Sequence, residues 1–180
     1  MNYDAVLRDI LKLLGELRIN YMLTGSYASN IYGRVRSTFD ADLVVALPAA
    51  QLERLVTSLG DDFYVDATTL QEVSEAGGQF NAIHRPSGLK FDFYLPRSTH
   101  DREALRRSRT YPLWGIDVSV ISPEDLILAK LSWAKEGGST RQLEDAEGIY
   151  EVQRDLLDIE YLKSKASDLS LRELLDRVSQ

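Results

Sequence analysis

The chain predicts an α+β fold: a small β-sheet flanked by helices over residues 1–121, followed by a C-terminal helical segment over residues 122–180. Three observations predict it. Short apolar runs with strand character, such as Asn20–Thr24 and Phe39–Leu47, alternate with amphipathic stretches through the first two thirds of the chain. Gln79–Leu95 has the form of a β-hairpin turning at Arg85-Pro86-Ser87-Gly88. From Ser122 onward the pattern is helical, broken only at Gly137-Gly138.

Each element has its own signal. Val6, Ile10, Leu11, Leu13, Leu14 and Leu17 recur at helical spacing and predict an amphipathic helix over 3–18. Asn20–Thr24 reads as the first strand and Ser26–Tyr32 as a short helix before Gly33. Phe39–Leu47 is a second strand closed by Pro48, which also suits the first turn of a helix over 48–59. Asp62–Val65 reads as a short strand, and 67–78 as a short helix ending at Gly77-Gly78. In the hairpin, Phe91, Phe93 and Leu95 form a core-facing stripe, while Lys90, Asp92 and Tyr94 form the other. Thr99–Ser108 predicts a helix carrying Arg102, Arg106 and Arg107, and Ile116–Ile121 alternates like a strand. Ser122-Pro123-Glu124-Asp125 combines a capping serine, a first-turn proline and an acid at the third position, a strong helix start.

Composition narrows the function classes. With 44% hydrophobic residues the chain can bury a core. It has no cysteine, hence no disulfide, thiolate metal site or cysteine nucleophile, which fits a reducing cytoplasm. Met1-Asn2-Tyr3-Asp4 lacks a basic stretch leading into an apolar one, so no signal peptide is expected, and no run approaches the 18–20 apolar residues of a membrane span. A net charge of −7 argues against general nucleic-acid binding, though a local basic patch could still serve.

Chemistry concentrates around Leu23-Thr24-Gly25-Ser26 and the run Asp40-Ala41-Asp42-Leu43-Val44-Val45, which begins fourteen residues after Ser26. On a strand, residues i and i+2 share a face, so Asp40 and Asp42 stand side by side, roughly 6.5 Å apart. At that spacing two carboxylates repel by about 2.5 kcal/mol at an effective dielectric near 20. The apolar run that follows them suggests an interior strand, where unpaired acids are costly. A cation between them would remove the cost. If the hairpin lies beside this strand, Asp92 comes within reach of the same ion. Three aspartates suit one or two Mg²⁺ ions, which prefer carboxylate, phosphate and water oxygens. Gly25-Ser26, between a strand and a helix N-terminus, suits a phosphate held by backbone N–H groups and a hydroxyl.

These residues resemble a known family. Gly25-Ser26, then Arg36-Ser37-Thr38-Phe39-Asp40-Ala41-Asp42-Leu43-Val44, then Asp92, is similar to the signature of the nucleotidyltransferase superfamily with a polymerase-β-like palm. The stretch Ser122-Pro123-Glu124-Asp125-Leu126-Ile127-Leu128-Ala129-Lys130-Leu131, continuing to Arg141 and Asp145, resembles the bacterial branch containing abortive-infection toxin-type nucleotidyltransferases. The likeness covers roughly residues 20–150 and implies a small mixed, twisted sheet carrying the acids.

What the resemblance implies can be stated residue by residue. Asp40 and Asp42 would hold Mg²⁺ on a nucleoside triphosphate such as ATP, and Asp92 would bind metal and activate an acceptor hydroxyl. Gly25, Ser26 and Arg36 would bind the nucleotide, and Lys130 and Asp145 would join the catalytic set. Two plainer readings stay open: Lys130 snorkelling past apolar neighbours, and Asp145 pairing with Arg141 on a helix surface. Lys90 shares a face with Asp92 but reads equally as a solvated charge.

Two acceptor classes compete, and a third reading has no acceptor. A toxin-like enzyme acting on tRNA or a protein, with an antitoxin as partner, needs a basic groove, for which Arg34, Arg36, Arg102, Arg106 and Arg107 are the candidates. An aminoglycoside-type antibiotic nucleotidyltransferase needs an acidic acceptor pocket. A catalytically silent relative would serve as a partner-binding module.

Overall fold

The chain runs α1 (Tyr3–Glu16), β1 (Asn20–Thr24), α2 (Gly25–Tyr32), β2 (Asp40–Ala46), α3 (Ala49–Leu59) and β3 (Phe63–Val65). It continues through α4 (Ala67–Ala76), β4 (Gln79–His84), β5 (Lys90–Tyr94), α5 (Thr99–Arg107), β6 (Arg109–Leu113) and β7 (Ile116–Val120). It ends with α6 (Pro123–Gly137), α7 (Thr140–Gln153), α8 (Ile159–Asp168) and α9 (Arg172–Val178). This computed structural model describes residues 3–179. Met1 and Asn2, part of the N-terminal signal-peptide reading, and Gln180, at the end of the expected helical segment, lie outside the described residues. Among those described, no helix is long and apolar enough to cross a membrane.

The fold is α+β, and its chain forms two compact units: the residues up to Thr24 with Thr38–Val120, and Gly25–Ser37 with the residues from Ile121 onward. All seven strands among the described residues belong to the first, in the order β3-β4-β5-β2-β1-β7-β6. The sheet is mixed: β2 runs parallel to β5 and β1 parallel to β7, and the remaining neighbours are antiparallel. One sheet face is apolar. Leu23, Ala41, Leu43, Val45, Phe91, Phe93, Phe80 and Val120 are buried there, joined by Leu7, Ile10, Leu11 and Leu14 of α1 and Leu52 and Leu55 of α3. Phe80 and Phe93 stack across β4 and β5 with ring centroids 4.8 Å apart. Leu95, expected in the core stripe, lies past the end of β5 and is half-buried.

One strand escapes the sequence pattern. In β6, Pro112 removes a ladder donor, so the run does not read as a strand; the fold tolerates it because β6 is the sheet edge. Its signal is the turn. Trp114 (φ 50°) and Gly115 (φ 77°) both take positive φ between Leu113 and Ile116, a two-residue hairpin loop that matches strand twist.

The second unit is helical. It contains α2, a segment the sequence reading placed with the N-terminal part, because α2 packs on α6 and α7. Gly33 lies close to Ile149 of α7, where a Cβ would approach Ile149 Cγ1 to 3.1 Å. The Tyr32 hydroxyl donates to the Ile121 carbonyl at 2.8 Å. Helix α6 begins as predicted: Ser122 Oγ accepts from the Asp125 N–H, and Pro123 stands in the first turn. Glu124 and Asp125 are fully buried, and both tie α8 down. Glu124 Oε1 accepts from the Asp158 N–H at 2.9 Å, and Asp125 Oδ1 accepts from the Tyr161 hydroxyl at 2.7 Å. The Ser-Pro-Glu-Asp motif is thus a latch between helices.

Removing one arm of that latch has a predictable cost. Tyr161→Phe leaves a buried carboxylate oxygen without its phenolic donor and should lower stability by about 1–2 kcal/mol. Urea unfolding at neutral pH measures this; an unchanged midpoint would show that the bond contributes nothing.

Candidate functional site

The period-two alternation that buries Ala41, Leu43 and Val45 turns Asp40 and Asp42 to the other sheet face. Parallel pairing with β5 then sets Asp42 opposite Asp92, and Asp40 opposite Lys90. On the flanks, β1 sets Thr24 opposite Asp42, and β4 sets Asn81 opposite Asp92. The result is a polar row across four strands, Thr24-Asp42-Asp92-Asn81, with neighbouring strands about 4.8 Å apart. The structure therefore brings the three predicted acids onto one face of adjacent strands. Thr24 and Asn81 enter the row through register alone.

Charge balance in this row comes from within the chain. Lys90 Nζ lies 2.8 Å from Asp92 Oδ2, with Asp92 mostly buried. The hydrogen bond to Asp92 holds the Lys90 ammonium above its usual pKa against the opposing effect of burial, and the charges of Asp92, Asp40 and Asp42 add to it. Tyr94, next along the same face of β5, is pushed well above the ordinary phenol range by burial and by the negative charges of Asp42 and Asp92; its hydroxyl makes a long 3.5 Å contact to Asp42 Oδ1. A strongly negative field therefore surrounds these side chains.

For a divalent cation the donor chemistry fits: hard carboxylate oxygens on one face, of the kind Mg²⁺ takes. Among the described residues, no three His, Cys, Asp or Glu side chains converge tightly enough to cage an ion as they stand. One oxygen of Asp92 is already engaged by Lys90.

The helical unit assembles the remaining predicted residues. Gly25 opens α2 with φ 60°, a conformation that favours glycine and explains its place in the turn. Asn30 clamps the loop after α2 in both directions, donating to the Arg36 carbonyl at 2.8 Å and accepting from the Arg36 N–H at 2.9 Å. This aims the Arg36 guanidinium at two partners. Its Nη2 donates to Ser26 Oγ at 2.6 Å, and Nε and Nη2 grip Asp145 at 3.2 and 3.0 Å. Lys130, buried on α6, reaches Asp145 Oδ2 at 2.8 Å. Lys130 therefore does not snorkel to water, and Asp145 turns to Arg36 and Lys130 instead of Arg141. Asn30, which no local sequence signal marks, fixes the geometry of the cluster.

Asp145 thus lies between two cations, and the Arg36–Lys130–Asp145 cluster carries one net positive charge. Burial pushes its carboxyl upward, but hydrogen bonds and charge from Arg36 and Lys130 outweigh that and hold it below the usual carboxylate range. A small cavity of about 210 Å³ opens beside it, lined in part by Ser29, Arg34, Val35 and Glu144. That volume accepts part of a ligand only. Arg34, on the same loop, pairs with Glu151 at 2.6 Å on the surface.

No family model matches the chain, and no curated protein matches it in sequence. Solved structures do match in shape. An antigenic nucleotidyltransferase-like protein from Paracoccidioides brasiliensis superposes with a TM-score of 0.60 at 18% identity, over 98% of this chain and 91% of that one. ANT(2″)-Ia in complex with adenylyl-2″-tobramycin gives 0.58 at 17% identity, over 97% of both chains. The lincomycin-bound lincosamide antibiotic adenylyltransferase LnuA gives 0.57 at 14%, over 81% of this chain and 95% of that one. At such identities the likeness establishes the fold, which is that of nucleotidyltransferases.

The Asp145 cluster makes a pH prediction. Its folded carboxyl ionises below its unfolded value, so the ionised form adds stability above the unfolded carboxylate pKa, near 3.9. That contribution disappears as pH falls through the folded value. Asp145→Asn should lower stability at pH 7 by about 2–3 kcal/mol, since it leaves the buried Lys130 facing Arg36 without a counter-charge. The gap to wild type should narrow towards pH 3. Denaturant unfolding at both pH values measures it; a gap that stays constant with pH would exclude an ionic role.

Proposed function

We propose that this chain transfers a nucleoside monophosphate from a nucleoside triphosphate to an acceptor hydroxyl, releasing pyrophosphate. The observation that carries the reading is the placement of Asp40, Asp42 and Asp92 on one face of adjacent strands within a nucleotidyltransferase fold. In this reading Asp40, Asp42 and Asp92 hold one or two Mg²⁺ ions. Bound metal supplies positive charge against the triphosphate oxygens and the developing charge on the leaving group. Gly25 and Ser26 bind phosphate through backbone N–H groups and a hydroxyl at the start of α2. Arg36 and Lys130 supply cationic charge for the phosphates. Asp145 acts on both as a positioning residue, since its carboxylate is taken up by their hydrogen bonds.

The chemistry balances simply. Asp92 accepts the proton of the acceptor hydroxyl, whose oxygen bonds to the α-phosphorus. The bond from that phosphorus to the bridging oxygen breaks, and pyrophosphate leaves with the electron pair.

For the acceptor we favour a small hydroxylated molecule. The net charge of −7 disfavours a polyanionic acceptor such as RNA. Fold neighbours include antibiotic adenylyltransferases, one bound to lincomycin and another to adenylyl-2″-tobramycin. The toxin-like reading, with tRNA or a protein as acceptor, remains an outcome of the same assay.

Incubation with each α-labelled triphosphate and Mg²⁺, against a panel of aminoglycosides and lincosamides, total tRNA and total protein, tests this directly. Label should appear on a small molecule with equimolar pyrophosphate. Asp42→Asn should reduce turnover at least about a hundredfold while leaving the melting temperature unchanged or slightly raised, because it removes a charge from a repelling row. Label on tRNA or protein would replace the acceptor assignment. No transfer and no Mg²⁺-dependent triphosphate binding would favour a silent binding module.

A further inference from the structure

Lys90 is a cation in direct contact with the acid row, and nothing in the proposed chemistry requires it. Its Nζ lies 2.8 Å from Asp92 Oδ2, its register partner is Asp40, and Asp42 stands opposite Asp92. A β-strand fixes Lys90 and Asp92 on the same face, so their proximity follows from i, i+2 spacing and survives rotamer changes elsewhere. Lys90 itself keeps 39% of its side chain exposed, so its four-carbon stem can swing the ammonium out to water; Asp92, at 13%, cannot follow. One partner is anchored and the other is free to leave.

We infer that Lys90 is a resident counter-cation that competes with divalent metal for Asp92, so that the Lys90–Asp92 ion pair must open before Asp92 can ligate. This rests on the metal-holding role proposed above for Asp40, Asp42 and Asp92. It joins two observations: three carboxylates share one face, and an internal ammonium already occupies one of them. An exposed ion pair is ordinarily weak. Here Asp40 is also the register partner of Lys90 and Asp42 stands opposite Asp92, so the ammonium lies among more than one carboxylate. A metal ion entering the row gains the same charges that Lys90 gives up.

Mn²⁺ binding, read by the electron paramagnetic resonance signal of the free ion, and thermal unfolding without metal test this apart from catalysis. Lys90→Met keeps the apolar stem and deletes the charge. It should bind Mn²⁺ at least about tenfold tighter than wild type, and melt a few degrees lower without metal. Lys90→Arg should stay near wild type in both. Lys90→Gln provides the same comparison if the Met variant does not fold. Metal affinity unchanged or weakened in Lys90→Met, or Lys90→Arg binding as tightly as Lys90→Met, would overturn the inference. Asp42→Asn separates the two readings: it should weaken Mn²⁺ in wild-type and Lys90→Met backgrounds alike. If it does so while Lys90→Met leaves affinity unchanged, the competition fails and the metal site stands. If Asp42→Asn has no effect, or no form binds Mn²⁺, the metal-holding role fails and the competition with it.

Discussion

Asp42 and Asp92 face each other across two parallel strands, and that pairing governs the first unit. The strands β2 and β5 are central, and their other faces carry Ala41, Leu43, Val45, Phe91 and Phe93, all fully buried. Sliding either strand by one residue would turn these apolar side chains outward and the acids into the core. Core packing therefore locks the register, and the locked register forces two carboxylates together. Repulsion between them is a consequence of the fold that local relaxation cannot remove. The chain answers it with Lys90 on the same face, while burial and the same negative charges push the neighbouring Tyr94 phenol well above its ordinary range.

The helical unit meets a related problem with more partners. Helix α6 buries Glu124, Asp125 and Lys130, three ionisable groups on one helix. Each is satisfied by a different device: a backbone N–H from Asp158, a phenolic hydroxyl from Tyr161, and the Asp145 carboxylate shared with Arg36. Buried ionic contacts of this kind contribute little net stability, because desolvation offsets most of the attraction. What they provide is definition of position. Arg36 has its backbone clamped by Asn30 and its guanidinium held by Ser26 and Asp145, so its charge is delivered to one place. Preorganised charge of this kind is what phosphate recognition requires.

The two units differ in charge. The sheet unit carries three carboxylates on one face with Lys90 against one of them, and the helical unit carries a cationic cluster with one carboxylate between two bases.

By itself the sequence determined the strand carrying Asp40 and Asp42, the hairpin carrying Asp92, the glycine turn before α2, and the capped start of α6. Each is a local pattern, set by period-two or period-3.6 burial and by turn and cap chemistry. Even the shared face of the three acids was legible, given only that the hairpin lies beside β2. Tertiary structure alone decided the rest. Pro112 hid β6, because only edge placement lets a proline join a sheet. Asp145 lies four residues from Arg141 yet pairs with Arg36, 109 residues away in sequence, because the packing of α2 on α7 outweighs a weak helical surface pair. Lys130, ambiguous on its helix, became a buried ion-pair partner, and Thr24 and Asn81 joined the acid row through strand register. These contacts join residues remote in sequence, and no local periodicity encodes which of several available charges a buried group will meet.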